Sequence, residues 1–222
     1  MLAASRMTTD AAIRALFPRA VILRAVRVAA DPGVAGEPRL AASSAIEGKC
    51  RAFLEQLRWP EGVRCPRCDV SKGISRIDSR GQFECGACGY QFSVRAGTVF
   101  HASHLPLWKW FLAVYLISGS VDGISANQLT RMLGISYKTA WYLNHRIRAA
   151  MKGDGAQPLR MLTEGDAVAR TRLGHKGKHL DAYRDEKVFH ARNRSNPYLF
   201  CDLLSRLIGV EAVSYAQLIA SA

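Results

Sequence analysis

The chain has 222 residues, 49% of them hydrophobic, with 31 Lys+Arg against 18 Asp+Glu and a formal net charge of +13. That length permits one or two small domains, and the apolar content excludes collagen-like and wholly disordered chains. The cationic excess points to a polyanionic partner, nucleic acid first and acidic membrane surfaces second.

The longest apolar run, near Phe111 to Ile117, falls well short of the ~20 residues a bilayer-spanning helix needs. No membrane partner is expected. Arg14, Arg19, Arg24 and Arg27 interrupt the apolar stretch from Ala11 to Ala30, which argues against a secretory segment. Four of the six cysteines form two Cys-x-x-Cys pairs, a pattern that favours metal over disulfides in a chain that is not secreted. A reducing cytoplasm is the expected location.

Residues 1–44 read as a poorly determined basic extension, with six Arg against three acids and one weak helical stretch from Ile13 to Val28. Residues 45–100 form the next unit. Cys50, Phe53, Leu54 and Leu57 recur at helical spacing until Trp59-Pro60, where proline stops the helix. Short strands are predicted around Ile74-Ser-Arg-Ile77 and Gln82-Phe-Glu84, between the two cysteine pairs.

Residues 101–152 hold three predicted helices. The first runs from Pro106 to Ser118 with a wide apolar face. The second spans Ser125 to Leu133 and is broken by Gly134; the third is capped by Ser136 and runs to about Met151. Residues 153–174 read as a linker, and 175–222 as a helical segment, helical up to Asn193 and again after Pro197.

Cys65, Cys68, Cys85 and Cys88 give C-x2-C-x16-C-x2-C, a spacing that suits a four-thiolate zinc site. Gly86 and Gly89 suit the tight backbone of the second knuckle and Pro66 stiffens the first. Four charged ligands leave no open position, so the zinc would be structural, holding a ribbon too small to fold by burial alone. The competing readings are a redox dithiol and simple core cysteines. Cys50 and Cys201, isolated on helical apolar faces, read as core thiols.

The stretch from Gly123 through Leu143 reads as helix, Gly-containing turn, helix, the arrangement of a helix-turn-helix. On the third helix Ala140, Leu143, Ile147 and Met151 share one side, while Lys138, Tyr142, His145 and Lys152 fall opposite, flanked by Trp141, Arg146 and Arg148. No acidic residue occurs between Gly123 and Met151. The groove-facing candidates are therefore Ser136, Tyr137, Lys138, Tyr142 and His145, with Arg146 and Arg148 as phosphate contacts. The competing reading is a basic bundle with a solvated face.

Four stretches together carry a resemblance: Cys50-Arg-Ala-Phe-Leu-Glu-Gln-Leu-Arg-Trp-Pro through Cys68, Phe92-Ser-Val-Arg-Ala-Gly-Thr-Val-Phe100, Leu107-Trp-Lys-Trp-Phe-Leu-Ala-Val-Tyr-Leu116, and Gly123 through Met151. Over about residues 45 to 152 the chain resembles bacterial insertion-sequence transposases with an N-terminal zinc ribbon. The resemblance implies double-stranded DNA, the terminal inverted repeats of a transposon, as partner and the bacterial nucleoid as its place. It also implies a ribonuclease-H-like domain of the DDE type, in which acidic residues hold two divalent metals such as Mg2+ in a complete family member.

The resemblance resumes at His179-Leu-Asp-Ala-Tyr-Arg-Asp-Glu186, Phe189, Arg192-Asn-Arg194 and Ser214-Tyr-Ala-Gln-Leu218. Only 27 residues lie between Met151 and His179, whereas a five-stranded sheet with its helices requires on the order of a hundred. Glu164-Gly-Asp166-Ala167 matches at most the first catalytic Asp, and two-metal chemistry needs several converging carboxylates. No catalytic residue is therefore assigned. Asp181, Asp185 and Glu186 are expected to pair with basic neighbours on their own helix. The trailing segment, stripped of the domain it packed on, is expected to expose Leu180, Tyr183, Phe189 and Phe200.

The expected fold is thus α+β: a small zinc ribbon, a three-helix helix-turn-helix bundle and a helical C-terminal remnant, with the ribonuclease-H-like core missing. Three alternatives stand beside an inactive transposase-family DNA binder. They are a non-enzymatic regulator of transposition or transcription, a zinc-ribbon adaptor that docks on protein, and a nuclease whose missing ligands come from elsewhere. The protein partners to consider are a second copy of the chain and a full-length transposase.

Overall fold

The first described helix, α1 (Thr9–Leu16), starts where the Thr8 side chain accepts from the Ala11 amide at 3.4 Å. It ends at Phe17, which is extended because a proline follows. The computed structural model describes residues 7–17, 22, 43–120, 123–152, 180–211 and 214–220. The linker reading, Glu164, Asp166, Ala167, His179 and most of the N-terminal extension lie outside the described residues.

Helix α2 (Ser43–Arg58) leads into strands β1 (Ile74–Ile77), β2 (Gln82–Cys85) and β3 (Gln91–Phe92), which pair antiparallel in that order. The register sets Ile74 opposite Cys85, Arg76 opposite Phe83, and Phe83 opposite Phe92. Strand β2 alternates as a half-buried strand should, with Phe83 and Cys85 inward. Helices α3 (Leu107–Ser118), α4 (Ala126–Leu133), α5 (Tyr137–Met151), α6 (Leu180–Arg192), α7 (Leu199–Gly209) and α8 (Tyr215–Ala220) follow.

Two cores result. The ribbon gathers Cys65, Phe83, Cys85, Phe92 and Ala96, with the Trp59 ring edge-on to Phe83 at 5.5 Å and to Phe92 at 6.0 Å. The larger core runs through α1 to α7 and is centred on α3, in which ten of twelve residues are buried, so that this helix is covered on nearly every side.

Helix α2 belongs to both cores. Ile46, Cys50, Phe53 and Leu54 enter the helical core, while Glu55 holds Arg76 of β1 at 2.9 Å. Arg51 lies so close to Gly81, in the β1–β2 turn at φ +57°, that any Cβ there would run into its guanidinium. A division at residue 100 into a ribbon unit and a helical unit therefore does not describe the packing, because the helix before the cysteines serves both sides.

The C-terminal segment departs from the sequence expectation. Phe189 and Phe200 are buried rather than exposed, Tyr183 is half-buried, and the Leu180 side chain lies outside the described residues. Phe200 sits edge-on to Phe111 of α3 at 6.0 Å, and the Val99 amide donates to the Leu207 carbonyl at 3.2 Å. Helix α1 covers the other side of α7: the Thr9 amide donates to Pro197 O at 2.8 Å, and Cys201 Sγ lies 3.3 Å from Met7 O. Sequence periodicity shows an apolar face but not what covers it, and here the helical core does so.

Candidate metal centre and basic helix

The two Cys-x-x-Cys knuckles are copies of one backbone pattern. In the first, Cys65 N donates to Val70 O at 3.0 Å and Asp69 N to Cys65 O at 2.9 Å; in the second, Cys85 N donates to Tyr90 O at 3.1 Å and Gly89 N to Cys85 O at 2.8 Å. The fourth residue after the first cysteine must turn left-handed in each. Gly89 does so at φ +64°, whereas Asp69 occupies the same place at φ +56°, a conformation that disfavours side chains. Gly86 has a different reason to lack a side chain, since a Cβ there would stand 2.8 Å from Gly73 O.

The four thiol sulfurs all lie within 4.8 Å of one another. Cys65 and Cys88 are 3.7 Å apart, and Cys68 and Cys85 are 3.6 Å apart. Those spacings are far longer than the ~2.05 Å of a disulfide. A tetrahedron with metal–sulfur bonds of about 2.3 Å has edges of about 3.8 Å, so these two spacings match a zinc tetrathiolate. Burial raises the Cys65 pKa, but amide donation from Arg67 and Cys68 and bonds from the thiols of Cys68 and Cys88 outweigh it, and the thiol drops to about 7. Amide donation at Val70 favours the Cys68 thiolate, yet burial and the thiols of Cys85, Cys88 and Cys65 push this group up to about 12. One thiolate forms readily and the next resists, which is the imbalance a bound dication removes.

Around this centre, Arg58 Nη1 donates to Val94 O at 2.6 Å and Arg95 Nη2 to Glu47 Oε1 at 2.8 Å. These contacts join the ribbon to the helices.

Helix α4 begins at a capping box in which Ser125 Oγ accepts from the Gln128 amide at 3.3 Å and Gln128 Oε1 accepts from the Ser125 amide at 2.9 Å. It ends at Gly134, left-handed at φ +59°. Ser136 Oγ then accepts from the Thr139 amide at 3.2 Å and starts α5. Asn144, which the sequence did not single out, donates from Nδ2 to Ile124 O at 2.7 Å and pins α5 to the approach of α4.

The residues expected to face DNA separate into two groups. Ser136, Tyr137 and Lys138 are exposed at the first turn of α5, Tyr137 to 54%, and Tyr142 is half-buried. His145, Arg146 and Arg148 are interior, each no more than 3% exposed, which corrects their placement on an open face. Arg146 Nη2 donates to His101 O at 2.9 Å, between the rings of Trp110 and Tyr142. Burial lowers its pKa, partly offset by Tyr142. Arg148 Nε meets Glu186 Oε2 at 2.8 Å with the Tyr183 ring 4.1 Å away, and His145 packs between Trp141 and Tyr183. The ion pair of Glu186 therefore reaches across to α5. A helical wheel found the polar side of α5, but not that α6 lies on its later turns.

Among the described residues, no helix is long and apolar enough to cross a membrane. Residues 46–91 match a family described as the transposase zinc-ribbon domain. The chain is also 35% identical over 108 residues to an uncharacterized protein in transposable element ISH50 of Halobacterium salinarum, an alignment covering 47% of this chain and 36% of the relative. The chain thus spans about a third of that relative's length. No solved structure matches. These two likenesses relate the chain, over the matched residues, to insertion-sequence transposases and a protein of a transposable element.

Proposed function

We propose that the chain binds the terminal inverted repeats of a transposon through a helix-turn-helix built by α4 and α5, beside a structural zinc ribbon, and does not cut the DNA. The observation that carries this reading is the first turn of α5. Ser136, Tyr137 and Lys138 are exposed there, Arg131 is exposed on α4, and no acidic residue lies between Gly123 and Met151. The N-terminal turn of the second helix is the part that reaches base edges in such a motif. A helix N-terminus, with its amides directed outward, also favours phosphate.

The absence of cutting rests on length. The 27 residues between Met151 and His179 are too few for a ribonuclease-H-like sheet, which takes on the order of a hundred. Packing is consistent with this. Helices α6 and α7 close directly onto α3 and α5, and Glu186 is committed to Arg148. A chain that binds ends without cleaving them would compete with a full-length transposase and act as a regulator of transposition.

Footprinting on duplexes carrying the flanking inverted repeats tests both parts. Protection of the repeats, with intact strands after incubation with Mg2+, is expected. Strand cleavage would overturn the non-cutting part, and equal affinity for scrambled duplex would overturn repeat recognition.

A further inference from the structure

Segment 91–100 is threaded between the two cores. Phe92 and Ala96 are buried in the ribbon, while Val94, Val99 and Phe100 are buried among the helices. Arg95 sits at the crossing. Its Nη1 donates to the carbonyls of Ser103 at 3.1 Å and Leu105 at 3.2 Å, and its Nη2 to Glu47 Oε1 at 2.8 Å.

The same Glu47 carboxylate accepts from the Leu107 amide at 3.0 Å and the Trp108 amide at 3.1 Å. Helix α3 has Pro106 at its N-cap, and proline makes no side-chain cap bond. The first turn of α3 is therefore capped by a residue sixty positions earlier, whose carboxylate is held in place by an arginine of the ribbon border. A carboxylate at that end also suits the helix dipole. On Lys109, the residue after Trp108, Nζ lies 3.5 Å from the carbonyl oxygen of Gly134, the residue that turns α4 into α5.

We propose that Arg95 and Glu47 are positioning residues that couple metal loading of the ribbon to the N-terminus of α3. The four cysteines order β2 and the chain into β3. Phe92 of β3 and Ala96 beyond it pack in the ribbon core, and these hold Arg95 against Glu47. Loss of the metal releases Arg95, the carboxylate loses its clamp, and the first turn of α3 frays next to the α4–α5 turn. The coupling goes beyond DNA recognition, and its readout requires no DNA.

Hydrogen exchange of the full chain, zinc-loaded and after chelator treatment, tests it. In the native sequence, chelation should speed exchange of the Leu107 and Trp108 amides about tenfold, the scale of a lost helix cap, while Leu112 and Ala113 amides stay protected. In Glu47→Gln those two amides should exchange fast with or without metal. In Arg95→Gln they should likewise exchange fast in the loaded chain, because the clamp on Glu47 is gone, and lose most of their response to chelation. Unchanged exchange at Leu107 and Trp108 after chelation of the native sequence would overturn the proposal, and so would a full metal response in Arg95→Gln. The native-sequence comparison decides even if either variant fails to fold.

Discussion

Arg148 and Glu186 show how a residue of the right chemistry can be withdrawn from the surface. Both side chains are at most 4% exposed, and Glu186 Oε1 has no partner among the described residues, so removing one member strands a charge. Arg148→Met is expected to cost about 3–5 kcal/mol in urea unfolding, whereas pairing it with Glu186→Leu should recover most of that loss. Equal losses in the single and double variants would show that the pair contributes nothing specific. His190 on the same helix gives a pH dependence. Burial lowers its pKa from 6.5, opposed by Glu186 and reinforced by Lys187. A histidine lowered in the folded state leaves stability intact above its ordinary value. Below it the unfolded chain gains a proton that the folded chain refuses, and stability declines. Melting temperature should therefore fall as pH drops below about 6.5, and His190→Gln should flatten that fall.

Among the elements, the ribbon was the most legible in sequence. Cysteine spacing gave the ligands, and Gly89 marked a left-handed position. What spacing could not show was that the first knuckle repeats the pattern with Asp69 in the equivalent place. Asp69→Gly should relieve about 1 kcal/mol of backbone strain, slowing metal loss to a competing chelator, and Gly89→Val should hasten it; the reverse order would refute the equivalence. Helices α3, α4 and α5 were also legible, because Ser125, Gly134 and Ser136 are local signals that act within one turn. Glu47 was not, because its partners lie sixty residues away and only the assembled fold brings them together.

For the whole molecule, the sequence suggested a poorly determined extension, organised units over residues 45–152 and an orphaned helical segment behind them, but the helices form a shared core into which α1, α6 and α7 are built. Apolar residues on α7 could be read as a stripe, yet nothing in a single sequence says that Phe111 and Leu207 meet segments about a hundred positions away. Phe200→Ala, at a fully buried site, should cost about 3–5 kcal/mol and lower the melting temperature of the entire helical body. Were the C-terminal helices a loose remnant, the same substitution would leave that temperature unmoved.

The most direct measurement is the affinity of the zinc-loaded chain for repeat-bearing duplex across a salt series. Log affinity should fall linearly with log salt, with a slope of about −0.9 for each phosphate neutralised, and Lys138→Glu should weaken binding and flatten the slope. Affinity indifferent to both salt and Lys138 would contradict DNA recognition by this helix and favour docking on a protein.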